Sequence, residues 1–559
     1  MQRGKAAMMG IFMHPLLLLL LTVQVQSSQD KLYNAATFEY EPKYIENNPS
    51  ETMKENAKEY EKQIELVSKD KAQIIVFPEL GLTSIHLPSR PALSNWSMKV
   101  PDPKENIVPC DESSSNVHEV LRNISCAAKT HKLYVVINLV EKEDEYLYSS
   151  NVVFSSEGKI VSRYRKYYRF NEFGEFNQSK ELIATAFNTS FGTFGVLIGA
   201  DILYEEPART LLEKGVKDFV YPVAWVSVLP FSRNYQMQLA WSKAKKVNVI
   251  SAPYYPGSKY AGGIFLGETD DGPHLSESGK ASSSFVQGEK RISINDINES
   301  VVAPSAKNCV IKNNGIGRKF INMSHFKSKQ INSDNDTWTE EHGDVKCAFE
   351  VNADFSAAKT DLYYFFVYNG KYNVFGEKCC SFGTSVCAIV KCNSKSLLRC
   401  GQVGLSLVPF KTIKIKAIYN QREHELNFQS TLHDGYSEIP AQMNSTKLPM
   451  GKMQQTMVLS SETPGLVAFG IVRKFFEKFD PDSNSNDNAN NYKMSTTDRV
   501  NNPDDICTTE LTNNELVFSP TSIYPYVLSF IAIILLAGTC VAIKSRRQIL
   551  TRIAIKCNS

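Results

Sequence analysis

Runs of apolar residues alternate with stretches of helical spacing over the first 300 residues of the chain. Consecutive or alternating apolar residues predict strands at 32–40, 74–77, 133–140, 147–154, 160–164, 196–198, 218–225 and 247–252. Apolar residues three or four positions apart predict helices at 50–71 and 231–246, and Glu206-Pro207 predicts the start of another. Strands that alternate with helices in this way indicate an α/β domain.

The pattern changes after residue 300, where helical spacing fades and cysteines become frequent. Short alternating segments predict strands at 363–368, 386–390, 404–408 and 413–419. We therefore predict an α/β domain over residues 28–300 and a mostly β domain over residues 301–475. Residues 476–522 include a segment that is rich in Asn, Asp and Ser, and this composition predicts a flexible stalk.

Both ends of the chain carry the signature of a membrane or targeting segment. Arg3 and Lys5 precede a short apolar block, so residues 1–27 predict a secretory signal peptide. Residues 523–543 form a longer apolar run and predict a transmembrane helix. The basic residues of the tail 544–559 predict that this tail lies on the cytoplasmic side. We expect a type I cell-surface protein with an extracellular ectodomain, and the alternative is a glycolipid anchor.

The composition is that of a globular protein, and the charge gives no sign of a nucleic-acid partner. The 559 residues are 42% apolar and 22% charged, and a net charge of +3 gives no argument for a nucleic-acid partner. The chain has 12 cysteines, two of which, Cys540 and Cys557, lie in the predicted span and tail. The others predict disulfides rather than a metal site, because their spacing does not match that of zinc ligands. Cys110 and Cys126 flank an acidic loop at 111–120 and could pair across it.

Sequons for N-linked glycosylation are spread over the predicted ectodomain. They occur at Asn95, Asn123, Asn177, Asn188, Asn298, Asn322, Asn335 and Asn444. Together with a signal peptide, the set predicts a glycosylated surface protein.

Three positions at predicted strand ends carry the candidate chemistry, namely Glu79, Lys166 and Gly199. Reactive groups in α/β proteins gather at such strand ends. A glutamate can act there as a general base and a lysine can stabilise an oxyanion, whereas a glycine offers no reactive group. The alternative for Glu79 and Lys166 is a structural ion pair.

The order of these positions resembles the nitrilase superfamily of carbon–nitrogen hydrolases, and in particular its vanin (pantetheinase) and biotinidase branch. The motifs that carry the resemblance are Phe77-Pro78-Glu79, 163–166, 191–195, 201–203, 221–225 and the cysteine-rich stretch 387–401. The resemblance implies a four-layer α-β-β-α sandwich followed by a disulfide-rich β domain. It also implies hydrolysis of small amides such as pantetheine or biotinyl amides without a cofactor, with Glu79 as base and Lys166 as oxyanion stabiliser.

The departure from the family pattern is at Gly199, where the resemblance places the nucleophilic cysteine. A glycine cannot attack a carbonyl or form a thioester. We therefore expect a pseudoenzyme that binds a pantetheine-like amide or another partner. The alternatives are an active amidohydrolase that uses another nucleophile or a water activated by Glu79, and a purely structural surface glycoprotein.

Overall fold

The computed structural model describes residues 31–112, 117–168, 176–225, 228–231, 233–254, 262–268, 274–275, 281–288, 297–301, 319–358, 360–371, 382–402, 406–422, 425–433, 439 and 441–476. The predicted signal peptide, transmembrane helix and basic tail lie outside these residues, as does the predicted stalk beyond residue 476. Within the described ranges, no helix is both long enough and apolar enough to cross a membrane.

The first part of the chain mixes helices with strands. Its helices are α1 (Pro49–Lys69), α2 (Arg90–Leu93), α3 (Glu119–His131), α4 (Ala208–Glu213) and α5 (Asn234–Lys245). Its strands are β1 (Lys31–Phe38), β2 (Ile74–Val76), β3 (Tyr134–Glu143), β4 (Tyr146–Phe154), β5 (Ile160–Arg165), β6 (Leu182–Ala184), β7 (Ala186–Asn188), β8 (Thr193–Val196), β9 (Asp218–Val223), β10 (Val228–Leu229), β11 (Asn248–Pro253), β12 (Gly263–Phe265), β13 (His274–Leu275), β14 (Ala281–Gly288) and β15 (Glu299–Val301).

The second part contains strands and short 3₁₀ turns. The strands are β16 (Lys319–Phe320), β17 (Lys327–Gln330), β18 (Asn335–His342), β19 (Val345–Ala353), β20 (Leu362–Lys371), β21 (Phe382–Cys392), β22 (Phe410–Asn420), β23 (Glu425–His433), β24 (Ala441–Leu448), β25 (Lys452–Leu459) and β26 (Leu466–Phe476).

Two six-stranded sheets face each other in the α/β part. Their strand orders are β14-β1-β2-β3-β4-β5 and β13-β12-β11-β9-β8-β7. The neighbours β1, β2 and β3 run parallel in the first sheet, as do β8, β9 and β11 in the second. Apolar side chains from both sheets, such as Val76, Val196 and Val220, form one buried cluster between them. The carboxyl ends of the central strands therefore meet at one edge.

Helices cover the outer faces of this pair of sheets, which gives four layers. Helix α1 begins at Pro49, where the Asn48 side chain accepts a hydrogen bond of 3.1 Å from the Glu51 N–H. Apolar residues of α1 and α3, including Ile64 and Ile124, join a buried cluster with the first sheet. Those of α4 and α5, including Leu211, join another with the second sheet.

The β-rich part is built from two five-stranded sheets, of orders β17-β20-β21-β26-β23 and β18-β19-β22-β25-β24. A fourth apolar cluster fills the space between them. The disulfide Cys347–Cys387 joins β19 of one sheet to β21 of the other, and Cys392–Cys400 closes a shorter loop. The predicted α/β fold with a disulfide-containing β part is thus confirmed.

The two parts share one hydrophobic cluster. Leu229 and Met237 of the α/β part belong to it together with Phe428, Leu432 and Val472 of the β-rich part. A hydrogen bond of 2.5 Å from the Gln236 side chain to the Thr431 carbonyl runs beside it. The boundary at residue 300 remains a prediction.

Some predicted elements differ from the observed ones. The acidic loop predicted at 111–120 ends where α3 begins, and this helix was not predicted. Its start is fixed by the His118 ring, which accepts a hydrogen bond of 3.2 Å from the Val120 N–H. The strand predicted at 404–408 is wrong for its described residues 406–408, which are not in a strand.

Candidate functional site

The carboxylate of Glu79 lies at the carboxyl end of β2 and is buried, with 2% of the residue exposed. Its Oε1 accepts a hydrogen bond of 2.6 Å from Lys166 Nζ, and its Oε2 accepts one of 2.8 Å from the Ala224 N–H. The backbone donor comes from the segment that follows β9 of the second sheet. Glu79 is therefore held by groups from both sheets.

Lys166 follows directly on β5, and its backbone N–H is bound to the Ser149 carbonyl of β4 at 2.9 Å. Its side chain is only 4% exposed, so the ion pair with Glu79 is screened from water. Burying two charges is costly unless each has hydrogen-bonding partners. The Ala224 N–H supplies such a partner on the carboxylate side.

Gly199 begins a 3₁₀ turn, Gly199–Leu203, that follows the end of β8. Its φ of +46° lies in the left-handed region, which residues with a side chain rarely adopt. A Cβ atom at this position would lie 2.6 Å from Glu79 Oε2 and 3.0 Å from Lys166 Nζ. The turn thus directs position 199 at the ion pair, and the three predicted residues come together at one point.

A second carboxyl group, Asp201, lies in the same turn and is fully buried. Its Oδ2 accepts hydrogen bonds of 2.8 Å from the Ile198 N–H and 2.9 Å from the Tyr164 hydroxyl. Burial raises the pKa of Asp201 to about 7, although the Ile198 N–H and the nearby Lys166 ammonium act in the opposite direction. In the sequence, Asp201 was only part of a motif, and its contact with the site was not predicted.

Two buried asparagines support the strand ends beneath the site. The Asn138 side chain of β3 accepts a hydrogen bond of 2.9 Å from the Leu80 N–H and donates one of 3.1 Å to Asn151 of β4. Asn151 in turn donates to the Leu197 carbonyl at 3.1 Å, just before the Gly199 turn. This chain of bonds links the turn after Glu79 to the turn at Gly199. Nothing in the spacing of the sequence predicted it.

Residues 228–230, which follow Ala224 along the chain, are fixed by the β-rich part. Strand β10 pairs with β16, and the Pro230 carbonyl accepts a hydrogen bond of 3.2 Å from the Ser430 hydroxyl of β23. Gly401, next to the Cys392–Cys400 disulfide, approaches Pro230 so closely that a Cβ there would lie 2.7 Å from the proline Cδ. Trp225 is half-buried and packs against the shared cluster.

The predicted glycosylation sites all lie in described residues, and none of their asparagines is buried. Asn95, Asn298, Asn335 and Asn444 are exposed. Asn123, Asn177, Asn188 and Asn322 are half-buried. The predicted pairing of Cys110 with Cys126 is confirmed. The six cysteines in the described ranges form three disulfides. Among the described residues, no group of His, Cys, Asp and Glu could hold a metal ion.

Comparisons with known proteins agree with this architecture. Residues 34–242 match the carbon-nitrogen hydrolase family, and residues 318–479 match the vanin C-terminal domain. The chain is 29% identical to vanin-like protein 2 of Drosophila melanogaster over 84% of this chain and 94% of that protein. It is 36% identical to pantetheinase of Homo sapiens over 35% of this chain and 41% of that protein.

Two further matches extend the comparison. The chain is 27% identical to biotinidase of Takifugu rubripes over 70% of this chain and 84% of that protein. Among solved structures, it is similar to a Saccharomyces cerevisiae member of branch 10 of the nitrilase superfamily, with a TM-score of 0.36 and 15% identity over 46% of this chain and 90% of that chain. The two family matches, in this order along one chain, assign it to the vanin and biotinidase branch of the nitrilase superfamily of carbon–nitrogen hydrolases.

Proposed function

We propose that this vanin-like protein binds a small amide in the site around Glu79 and does not hydrolyse it through a covalent intermediate. The observation that carries the proposal is Gly199, which lies next to the ion pair and has no side chain. Covalent catalysis needs a nucleophile whose proton a nearby base can take. Here the base and the cation are present, and the nucleophile is replaced by a hydrogen atom.

The retained groups support a binding role. Glu79 can accept a hydrogen bond from an amide N–H, and the Lys166 ammonium can donate one to an amide oxygen. Loss of one member of a catalytic group removes most of the rate enhancement, because such residues act as a unit. Binding through the other members does not depend on the missing one.

The ligand class follows from the relatives, several of which are named pantetheinase or biotinidase. We therefore propose a small secondary amide of the pantetheine or biotinyl type. We also propose a secreted, membrane-anchored and N-glycosylated ectodomain. The disulfides and the accessible sequon asparagines support this location, since both belong to oxidising, extracellular compartments.

The test compares amide hydrolysis by the natural protein with that of its Gly199→Cys and Gly199→Ala variants, using pantetheine as substrate. We expect the natural protein and Gly199→Ala to be inert and Gly199→Cys to turn over. The introduced Cβ requires the Glu79 carboxylate to shift, which the flexible end of a glutamate side chain permits. A pantetheine-dependent rise in the melting temperature of the natural protein would show binding.

Two outcomes would contradict the proposal. Hydrolysis by the natural protein that Glu79→Gln abolishes would show an active amidohydrolase that uses another nucleophile or a water activated by Glu79. No thermal shift with pantetheine or a biotinyl amide, together with an inert Gly199→Cys variant, would favour a structural glycoprotein.

A further inference from the structure

Asp201 connects the Gly199 turn to the strand that carries Lys166. Its Oδ2 is bound at 2.9 Å to the hydroxyl of Tyr164, a residue of β5 that stands two positions before Lys166. Side chains two positions apart in a strand project to the same face, so Tyr164 leads from the turn toward the lysine. The same oxygen accepts the Ile198 N–H at 2.8 Å and fixes the start of the turn.

A second contact holds the turn from the other side. The hydroxyl of Tyr221 in β9 donates a hydrogen bond to the Gly199 carbonyl. The backbone of Ala224, a few residues along the same strand and its continuation, binds Glu79. The turn is therefore tied to both of the segments that position the ion pair.

The second oxygen of Asp201 sets this residue apart from an ordinary turn cap. Its Oδ1 is buried and has no hydrogen-bond partner among the described residues. A carboxylate that only caps a turn would be expected to use both oxygens or to expose one, because an unsatisfied buried acceptor is costly. The Lys166 ammonium lowers the pKa of Asp201, and the Glu79 carboxylate raises it.

We propose that Asp201 is a positioning residue of this site, which clamps the Gly199 turn to the Lys166 strand and whose negative charge competes with that of Glu79 for the lysine ammonium. The inference deepens the proposed function, since it concerns the same site. It requires only that the site keeps its ionic arrangement, with or without a bound amide.

The charged and titratable groups that face Asp201 come from three segments. They are Tyr164, Lys166 and Tyr168 from β5 and the residues after it, Glu79 from the end of β2, and Tyr221 from β9. Burial raises the pKa of Asp201 to about 7, so its charge changes close to neutral pH. When Asp201 is protonated, the charge of Glu79 alone acts on Lys166; when Asp201 is ionised, its charge acts on Lys166 as well.

The test uses the thiol introduced by Gly199→Cys as a probe of the local electrostatics. Its alkylation by iodoacetamide is followed from about pH 5 to about pH 9 on the peptide that contains position 199, because the thiolate is the reactive form. The rates are compared with those of Gly199→Cys combined with Asp201→Asn or with Tyr164→Phe. No ligand is involved, so failure of the proposed binding function leaves this test intact.

We expect the probe protein to show a change in reactivity near neutral pH in addition to the ionisation of the thiol itself. Asp201→Asn should remove that change and lower the apparent pKa of the thiol by roughly one unit, because a nearby negative charge is lost. Tyr164→Phe should move the change to higher pH, because the carboxylate loses a donor. A profile that Asp201→Asn leaves unchanged would overturn the proposal.

If a probe variant does not fold, the pH dependence of the melting temperature tests the proposal instead. The natural protein and Tyr164→Phe are then compared over the same pH range. A step that moves to higher pH in Tyr164→Phe supports the proposal, whereas parallel curves overturn it.

Discussion

At the scale of single residues, Gly199 adopts a backbone conformation that is unstrained for glycine, and it has no reactive side chain. Its φ of +46° costs a glycine little, but a residue with a Cβ would be strained there. Strained turns of this kind are used to expose nucleophiles at strand ends. The turn in this protein also has a left-handed residue, at position 199. Because that residue is glycine, the turn has neither the strain nor a reactive side chain.

We predict that Gly199→Ala lowers the free energy of unfolding by roughly 1–3 kcal/mol, the cost of a left-handed residue that bears a side chain. The Cβ, 2.6 Å from Glu79 Oε2, adds to this cost. The matched control is Gly215→Ala, at φ +88° with no atom within 4 Å of the new Cβ. Denaturant unfolding measures both, and an equal loss in the two variants would show that the ion pair yields freely.

The ionisation of Asp201 predicts a pH dependence of stability. Its pKa is raised from 3.8 to about 7 in the folded protein. The folded chain thus binds this proton more tightly than the unfolded chain, and the stabilisation is full below about pH 4 and lost as the pH rises through about 7. The loss should be on the order of a few kcal/mol.

Asp201→Asn should abolish this part of the pH dependence, because the amide does not ionise but can still accept the Ile198 and Tyr164 hydrogen bonds. The measurement is the difference between natural protein and variant in unfolding free energy between about pH 5 and about pH 8. Curves that run parallel over this range would mean that Asp201 is charged throughout.

At the scale of elements, the sequence predicted those whose pattern is local. Strands β4 and β5 were predictable because apolar residues recur along 147–154 and 160–164. The convergence of Glu79, Lys166 and Gly199 was also predictable, because all three follow on strands. The roles of Tyr164 and Tyr221 were not, since their hydroxyls reach the turn only after two distant strands are brought side by side.

The helix α3, which contains Cys126, is not predicted by the sequence analysis, which treats Cys126 only as a residue that flanks the acidic loop. The disulfide Cys110–Cys126 joins a 3₁₀ turn, Pro109–Asp111, to the middle of this helix over a separation of 16 residues. We predict that replacing both cysteines by serine lowers the free energy of unfolding by about 3 kcal/mol, the value typical of a loop of this length. Calorimetry in non-reducing buffer measures it.

The control for this prediction is the pair Cys392→Ser and Cys400→Ser, whose loop spans only 8 residues. A shorter loop gives less entropy to the unfolded chain, so its removal should destabilise less. The reverse ranking would contradict the loop-entropy explanation.

At the scale of the whole molecule, the shared cluster makes the α/β part dependent on the β-rich part. Residues that α5 buries against β23 would be exposed in the isolated α/β segment. The sequence could not predict this, because the change of pattern at residue 300 shows where element types change and not where apolar faces are covered.

We predict that a fragment of residues 28–300 aggregates or unfolds at a lower temperature than residues 28–475, because it exposes part of a hydrophobic cluster. Size-exclusion chromatography and thermal unfolding of the two purified fragments measure this. A monomeric 28–300 fragment of equal stability would show that the cluster contributes little to the first part.

The contacts of Pro230 with Ser430 and Gly401 have a consequence for inherited variation. Gly401 lies in the β-rich part, which carries none of the candidate reactive residues. Its position in the sequence alone therefore suggests no effect on the site. A substitution there would nevertheless displace Pro230, which directly follows the pairing of β10 with β16. Alleles altered at Gly401 should therefore weaken the contact between the α/β part and the β-rich part.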